Sequence, residues 1–385
     1  MSDPAVKPSM GVGWIRSRRL GALLPAFRSA RLETLGRAEL QRRLHAATTS
    51  VPGVAFAAAW KDGEIIVHTA GSADLRTRQP LRADTPLAWF SVTKLFTASA
   101  VIQLAEEGKL ELDAPVSCYL PELRLARAGR EASVRELLAH AAGLPNPVPV
   151  AWVHLASEAP PSLDETVAKH IGRAPHLKST PGEKSAYSNL GYLLLGQIIE
   201  GVSGERFEHY VQRRLLGPLA CEASGFGLGA ERATAYQKRW SAMGMAARWM
   251  LDARFFDNAI EGYWALRPFA VDGAPYGGLG GPIADLLRLG QMLLAEGLGA
   301  RGRVLKAESL SEMTRPFHAQ QGRPQTIGLG WHLGTLEGEP YVYHIGGGGG
   351  YRAELRVYLR LGYAVAVAGN ETGFDTDAFV RLLVR

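Results

Sequence analysis

Cysteine is scarce in this chain of 385 residues, which has only Cys118 and Cys221. The two lie far apart in the sequence, and neither belongs to a Cys-x-x-Cys pair or to a cluster spaced for metal binding. Disulfide-rich and zinc-binding proteins need several such side chains at short spacings. The sequence therefore predicts no disulfide framework and no metal site, and it favours a reducing compartment.

Long hydrophobic runs are missing too. No apolar stretch approaches the roughly 20 residues that cross a bilayer. No transmembrane segment is therefore predicted, although 46% of the residues are hydrophobic and can form a large core. The chain also has no Gly-x-Ser-x-Gly, no His-Glu-x-x-His and no Walker loop. These absences argue against an α/β-hydrolase elbow, a zinc protease and a nucleotide-binding loop.

The positive charge is concentrated at the N-terminus. Residues 1–45 hold nine lysines or arginines and three acids, and this excess equals the net charge of +6 of the whole chain. Nucleic-acid enzymes usually spread basic residues over a functional face, so no nucleic-acid partner is predicted. We interpret residues 1–44 as a solvated basic arm, with contact to a membrane surface or a polyanion as the alternative.

The same arm has some features of an export signal. Arg18 and Arg19 precede a short apolar stretch, residues 20–27. That stretch contains Pro25 and is followed by further arginines, with no small-x-small cleavage site. We therefore predict a cytoplasmic protein, and an atypical export signal within residues 1–34 is the alternative.

Hydrophobic patterns predict strands near both ends of the chain and helices between them. A hairpin turned at Asp62-Gly63 is predicted over residues 54–68. Further strands are predicted at 341–345, 353–360 and 363–368, and helices at 91–107, 134–140, 190–202, 207–216 and 283–296. This order predicts an α+β fold, in which an antiparallel sheet built from both chain ends is flanked by helices and a helical lobe is inserted.

The predicted domain organisation follows from this order. After the arm, residues 45–385 form one domain. Its sheet lobe takes about 45–110 and 300–385, and its helical lobe takes about 111–299. Within the helical lobe, residues 231–276 are rich in aromatic residues and methionine without a clean period. We interpret them as a packed subdomain, with an apolar lid or acyl pocket as the functional alternative.

Ser91 and Lys94 are the first candidate catalytic pair. They lie three residues apart at the start of a predicted helix, and this spacing places both on one helix face. A lysine can accept a serine proton if burial lowers its pKa. The free N–H groups of a helix N-terminus suit a developing oxyanion. A Ser-x-x-Lys alone is also typical of a surface serine beside a solvated lysine.

Two more elements add chemistry to this pair. Tyr187-Ser-Asn189 follows a turn, and side-chain alternation in an extended segment places the phenol and the amide on the same side. His344-Ile-Gly346 opens a run of five glycines, 346–350, where a ligand can approach the backbone closely.

In order and spacing these three motifs resemble those of the serine β-lactamase and penicillin-binding protein superfamily. The resemblance covers about residues 45–383. It is closest to the branch that holds class C β-lactamases, family VIII carboxylesterases and related esterases and D-aminopeptidases. It implies a β-lactamase/transpeptidase-like fold, a serine hydrolase working through an acyl-enzyme, and no cofactor.

The resemblance also implies roles for individual residues. Ser91 would be the nucleophile, and Lys94 and Tyr187 would share the proton transfers, with either as the base in acylation. Asn189 would bind Lys94 and the substrate. The N–H groups of Ser91 and Gly347 would form the oxyanion hole, and the substrate-binding strand would include His344 and Gly346.

The third motif departs from the family pattern, because His344 stands where β-lactamases have a lysine. Histidine is mostly neutral at pH 7, so its hold on a substrate carboxylate should be weaker. We therefore predict a carboxylesterase acting on small or lipophilic esters, with Arg352 as an alternative source of charge. The alternatives are a β-lactamase, D-aminopeptidase or DD-peptidase acting on amides, and a catalytically retired binding protein.

Overall fold

The computed structural model describes residues 37–384 except 62, 150–151, 173–174, 228 and 230. Most of the predicted arm, including the possible export signal, lies outside the described residues, as does the turn residue Asp62. Among the residues described, no helix is long and apolar enough to cross a membrane.

The described chain contains strands and helices in a mixed order. The strands are β1 (Gly53–Trp60), β2 (Ile66–Asp74), β3 (Gln79–Pro80), β4 (Leu87–Ala88), β5 (Ala126–Arg127), β6 (Arg130–Glu131), β7 (Val153–Leu155), β8 (Gly225–Phe226), β9 (Ala235–Lys238), β10 (Phe256–Ile260), β11 (Tyr263–Leu266), β12 (Phe269–Val271), β13 (Leu279–Gly281), β14 (Leu298–Gly299), β15 (Gly302–Arg303), β16 (His332–Leu336), β17 (Glu339–Gly348), β18 (Tyr351–Tyr358) and β19 (Tyr363–Gly369). The helices are α1 (Arg37–Ala47), α2 (Thr93–Glu106), α3 (Val134–Leu138), α4 (Leu163–His170), α5 (Asn189–Ser203), α6 (Phe207–Val211), α7 (Ala242–Met250), α8 (Ala274–Gly277), α9 (Ile283–Leu294), α10 (Ala307–Met313) and α11 (Thr376–Val384).

A seven-stranded sheet joins the two ends of the described chain. Its strand order is β16-β17-β18-β19-β1-β2-β3, and every neighbouring pair is antiparallel. The last strand, β19, therefore lies at the centre, paired with the first one from Val54 opposite Gly369 to Trp60 opposite Tyr363. The predicted α+β fold with an antiparallel sheet from both ends is confirmed.

Both faces of this sheet are covered, and the sequence of β1 shows why. Ala55 and Ala57 belong to a core shared with the helical lobe, whereas Val54 and Phe56 belong to a second core with α1 and α11. The small alanines allow α9 to lie close to the sheet, while the larger residues fill the opposite side. Truncating the fully buried Phe56 to alanine should cost about 3–5 kcal/mol of unfolding free energy.

Helix α1 includes residues 37–44, which the sequence analysis assigned to the basic arm. Leu40 is 5% exposed and Leu44 is fully buried in the core beneath the sheet. The side chain of Gln41 donates a hydrogen bond to the carbonyl oxygen of Thr69 in β2, at 3.1 Å. These eight residues are therefore part of the folded domain.

Helix α2, which begins just after Ser91, is surrounded by other helices. Its residues from Thr93 to Leu104 are all buried, since α5, α6 and α8 pack around it. Its polar side chains are satisfied inside: Thr97 donates to the Pro275 carbonyl at 2.6 Å and Gln103 donates to the Val304 carbonyl at 2.9 Å. The helix is therefore fixed against neighbours on every side.

Capping residues fix the ends of the surrounding helices. Helices α3 and α4 each begin with a capping box, formed by Ser133 with Glu136 and by Ser162 with Glu165. Helix α5 ends at Gly204, whose φ of 72° is the left-handed conformation that glycine adopts without strain. Because α5 begins at Asn189, this helix sets the position of the second motif.

Candidate active site

The nucleophile candidate lies on a tight turn before α2. Phe90–Val92 forms one 3₁₀ turn, and the α-helix begins at Thr93 rather than at Ser91 as predicted. Phe90 has a φ of 45°, which is unusual for a residue with a side chain. Such strained conformations persist at functional sites when neighbours hold them in place. Here the ring of Phe90 packs against Tyr351 and Phe269, with centroids 6.3 and 6.4 Å away.

Lys94 lies directly behind Ser91. Its Nζ is 3.2 Å from Ser91 Oγ and donates a hydrogen bond to the carbonyl oxygen of Tyr276 at 2.7 Å. The side chain is fully buried, and burial holds the pKa of Lys94 well below its usual value. A neutral amine in this position can accept the proton of the serine hydroxyl.

Tyr187 reaches the same hydroxyl from the second motif. It hydrogen-bonds with Ser91, yet burial raises its pKa far above 10. Its ring lies over the lysine, with Lys94 Nζ 5.0 Å from the ring centroid. The adjacent backbone is fixed by His140, whose Nδ1 accepts from the N–H of Ser188 at 3.1 Å. Tyr187 is therefore a protonated phenol that can donate and return a proton.

Asn189 lines the same site but does not bind Lys94 here. Its own N–H donates to Asn146 Oδ1 at 3.0 Å. Its side-chain Oδ1 is buried and has no hydrogen-bond partner among the described residues. An unpartnered buried acceptor in the cavity that contains Ser91 is available for a ligand N–H or hydroxyl.

His344 lies behind Tyr187 rather than in the open part of the site. It is 1% exposed, and its Nδ1–H donates to the carbonyl oxygen of Ile345 at 3.0 Å. Its ring centroid is 6.4 Å from that of Tyr187 and 4.9 Å from that of His332. Burial, with the nearby His332 and Lys94, holds the pKa of His344 well below its usual value. The imidazole is therefore neutral at pH 7.

Gly346 and Gly347 bring strand β17 against the turn that carries Ser91. A Cβ on Gly346 would lie 1.9 Å from the carbonyl oxygen of Trp89 and 2.9 Å from the backbone N of Ser91. Only glycine permits this approach. Gly347, one residue later, lines the cavity that contains Ser91. The structure thus brings Ser91, Lys94, Tyr187, Asn189 and both glycines together, with His344 immediately behind.

The cavity beside Ser91 has a volume of about 470 Å³. Its walls are mainly apolar: Phe90, Val148, Pro149, Val153, Met243, Ala246, Ala247, Met250, Leu251, Phe255, Leu266, Phe269, Val271 and Tyr276. The polar lining consists of Ser91, Asn189, Gln237, Gly347, Gly348, Gly349, Arg352 and Thr372. Residues 231–276 supply several of the walls, as the acyl-pocket interpretation requires.

Some residues of the site have no signal in the sequence. His140 and His332 pack on the ring of Tyr187, with centroids 4.4 and 6.2 Å away. The carbonyl of Tyr276, which binds Lys94, comes from far along the chain. Any residue at this position could supply a backbone carbonyl, so no sequence motif identifies this acceptor. Among the described residues no group of three or more histidines, cysteines or acids could hold a metal ion.

Ser91, buried Lys94 and Tyr187 lie together beside the glycines of strand β17. This arrangement is typical of the serine hydrolases that have the β-lactamase fold. The comparison with family models agrees with this class. The chain belongs to the Beta-lactamase family, whose model matches residues 38–384.

Curated relatives point in the same direction. Penicillin-binding protein 4 of Amycolatopsis lactamdurans is 28% identical over 360 residues, covering 90% of this chain and 89% of that protein. Protein flp of Staphylococcus aureus strain MW2 is 28% identical over 187 residues, which cover 48% of this chain and 36% of flp. The predicted superfamily is confirmed.

Solved structures show the same fold. The octameric penicillin-binding protein homologue from Pyrococcus abyssi is 25% identical with a TM-score of 0.68, covering 92% of this chain and 77% of that one. The D-amino acid amidase from Ochrobactrum anthropi SV3 has a TM-score of 0.74 at 22% identity, covering 92% and 98%. At that identity the amidase likeness concerns the fold alone.

Proposed function

We propose that this protein is a carboxylesterase that hydrolyses small or lipophilic esters through an acyl-enzyme on Ser91. The observation that supports this most directly is the cavity beside Ser91, whose walls are mostly aliphatic and aromatic. Burial of an apolar acyl group contributes roughly 25 cal/mol per Å² removed from water. Such a cavity therefore favours acyl groups that carry hydrocarbon rather than charge.

Acylation begins with a proton transfer. Neutral Lys94 takes the proton of Ser91, and Oγ bonds to the carbonyl carbon while the carbonyl electron pair moves to oxygen. The N–H groups of Ser91 and Gly347 stabilise this oxyanion, and loss of one such donor typically costs about 10²–10³ in kcat. As the C=O bond re-forms, the bond to the alkoxy oxygen breaks. That oxygen takes a proton from Tyr187, which is reprotonated by the Lys94 ammonium.

Deacylation repeats these transfers with water. Water gives a proton to Lys94 and bonds to the acyl carbon, and the bond between that carbon and Ser91 Oγ then breaks. The oxygen of Ser91 recovers its proton through Tyr187 and Lys94, so the acid product leaves and the resting charges return. The raised pKa of Tyr187 and the lowered pKa of Lys94 favour the lysine as the base.

Charge in the cavity bears on the substrate class. Arg352 lines the cavity, and the described lining residues include no aspartate or glutamate. A substrate with a free ammonium group would thus meet a guanidinium and no counter-charge. Neutral esters avoid this repulsion. The same feature argues against a D-aminopeptidase, although structural neighbours include D-amino acid amidases.

Hydrolysis of p-nitrophenyl esters from acetate to octanoate tests the proposal. We expect turnover that increases with chain length and is abolished in Ser91→Ala, and retained in the matched control Ser157→Ala, whose exposed side chain lies outside the cavity. A fluorophosphonate should add one adduct at Ser91 by intact mass. A protein that hydrolyses none of these esters and forms no adduct would instead be a retired, binding member of the family.

A second candidate, a β-lactamase or peptidase for carboxylate-bearing substrates, is favoured by Arg352. This side chain lines the cavity beside Gly347, and its Nε has no hydrogen-bond partner among the described residues. Nitrocefin and a D-alanyl-D-alanine peptide test it. If the guanidinium anchors a carboxylate, Arg352→Gln should lower acylation by nitrocefin at least roughly tenfold while esters lose less. If Arg352→Gln lowered nitrocefin acylation and ester hydrolysis equally, Arg352 would not anchor a carboxylate and the esterase proposal would be favoured.

A further inference from the structure

Helix α7 presents an unusual apolar surface to solvent. Just before it, Trp240 is 75% exposed, and within it Met245 and Trp249 are 55% and 88% exposed. Single exposed apolar residues are ordinary, but a cluster of large ones on one short element typically marks an interaction surface. We call Trp240, Met245 and Trp249 the outer face of α7.

The same helix forms part of the cavity wall. Met243, Ala246, Ala247 and Met250 line the cavity that contains Ser91, whereas Met245, Arg248 and Trp249 do not. The helix therefore has apolar side chains both on the side that lines the cavity and on the outer face. Contact at the outer face would therefore take place on the helix that also lines the cavity containing Ser91.

The charge around the outer face is positive. The segment 238–254 contains four basic residues and one acid, Asp252, whereas residues 46–385 as a whole are balanced. The guanidinium groups of Arg239 and Arg248 lie over the ring of Trp264, 4.8 and 5.8 Å from its centroid. Neither forms an ion pair with any residue that the structure describes. Arg254, by contrast, is paired with Glu158 at 2.5 Å.

We propose that the outer face of α7 docks on the surface of a lipid bilayer that carries anionic headgroups. Tryptophan has an apolar body and a polar N–H, and it concentrates at such interfaces. Methionine enters the apolar layer, and arginines that form no ion pair with the described residues can pair with phosphate groups. Docking places the helix that lines the cavity against the layer in which lipophilic esters accumulate. The proposal concerns binding and does not depend on the esterase function.

A second copy of this chain is a poorer occupant of the same surface. In a symmetric dimer the face would pack against its own equivalent. Arg239 and Arg248 of one copy would then meet the same unpaired arginines of the other. Like charges brought together in a partly dry contact repel, whereas an anionic lipid layer supplies the opposite charge to both residues.

Sedimentation with sucrose-loaded vesicles tests the proposal on the full-length protein. We expect binding to phosphatidylcholine vesicles with about 30% phosphatidylglycerol, weaker binding to phosphatidylcholine alone, and loss of binding in high salt. The double variant R248Q/W249S should bind roughly tenfold more weakly. Its hydrolysis of a water-soluble ester should be unchanged, since neither residue lines the cavity.

The matched control is L298S/R301Q, which removes an exposed leucine and an exposed arginine from the region of the β14–β15 hairpin. It should bind vesicles like the wild-type protein. All three proteins keep the basic residues 1–36, so differences among them report on α7. The proposal is overturned if R248Q/W249S binds within twofold of wild type, or if wild type binds no vesicle. A concentration-dependent dimer that R248Q/W249S abolishes, without vesicle binding, would identify a second copy as the occupant.

Discussion

Gly346 and Trp89 touch through their backbones, so that a Cβ at position 346 would lie 1.9 Å from the carbonyl oxygen of Trp89. This contact connects strand β17 to the turn that carries Ser91. Neither partner can move easily, because Gly346 is paired with Ala353 in β18 and Trp89 precedes a buried helix. The backbone groups of both sides are therefore held at a fixed separation, as an oxyanion site requires.

Gly346→Ala should consequently lower both activity and stability. Its methyl group must displace the turn that carries Ser91, and overpacking of this kind costs about 1–3 kcal/mol. We expect ester turnover to fall at least roughly 100-fold. Urea unfolding of the same sample measures the loss of stability. The control is Gly201→Ala in α5, where a Cβ meets nothing within 4 Å. That change should leave turnover intact and slightly stabilise the helix.

Lys94→Met should lower the catalytic rate strongly while changing the free energy of unfolding only slightly. Methionine has a similar length and suits a buried site, so the free energy of unfolding should change by only about 1 kcal/mol, chiefly through the lost bond to the Tyr276 carbonyl. Loss of the base should lower kcat for p-nitrophenyl butyrate by about 10²–10⁴. Thr97→Val, one turn along, loses a comparable bond to the Pro275 carbonyl. If Thr97→Val lowered kcat as strongly, the role of Lys94 would be structural.

His332 should make the protein sensitive to acid. Burial, aided by nearby Lys94, lowers the pKa of His332 to about 4. The unfolded chain, with an ordinary value near 6.5, binds this proton first. Stability is therefore full above pH 6.5 or so and declines as the pH falls toward 4, by up to about 3 kcal/mol.

The variant His332→Phe tests whether His332 causes this loss of stability at acid pH. It keeps an aromatic ring beside Tyr187 but cannot be protonated. Urea unfolding at pH 7 and at pH 5 should show a smaller acid loss for the variant than for the wild-type protein. The exposed His209 supplies the control, since His209→Gln should leave the wild-type pH dependence unchanged. An equal acid loss in His332→Phe and wild type would contradict the prediction.

Val271 should set the length of the acyl chain. It lines the cavity from strand β12, which is paired with β7 along Val271 and Val153. Val271→Phe fills part of the cavity and should lower kcat/KM for the octanoate ester roughly tenfold while the acetate ester changes little. Val271→Ala should shift the preference toward longer chains. If kcat/KM changed equally for both esters, the acyl chain would not lie against Val271.

Much of the fold could be predicted because apolar periodicity reflects burial directly. Residues 363–368 are apolar throughout and form β19, buried on both faces. The predicted helix at 207–216 is instead α6 followed by a π-helical segment at Gln212–Leu216. The helix at 91–107 begins two residues later than predicted. Helix termini depend on tertiary contacts, such as those that hold Phe90, which periodicity does not contain.

The motifs predicted the members of the site, but not their partners. Ser91 and Lys94 meet because the 3₁₀ turn and α2 keep them about one turn apart, as the spacing suggested. The bond from Lys94 to the Tyr276 carbonyl, and the location of His344 behind Tyr187, depend on how distant segments pack. The exposure of Trp249 was equally hidden, since a tryptophan in an apolar stretch usually indicates a core.

The pairing of β1 with β19 inside the sheet has a consequence for how the protein folds during synthesis. During synthesis this apolar strand is made about 300 residues before its partner β19. Until then one edge of β1 stays unpaired, a situation that slows folding and exposes the chain to aggregation. The strand that carries Gly346 and Gly347 is also a late product. Nascent chains and truncated variants that end before β17 should therefore be inert, because they lack Gly346 and Gly347.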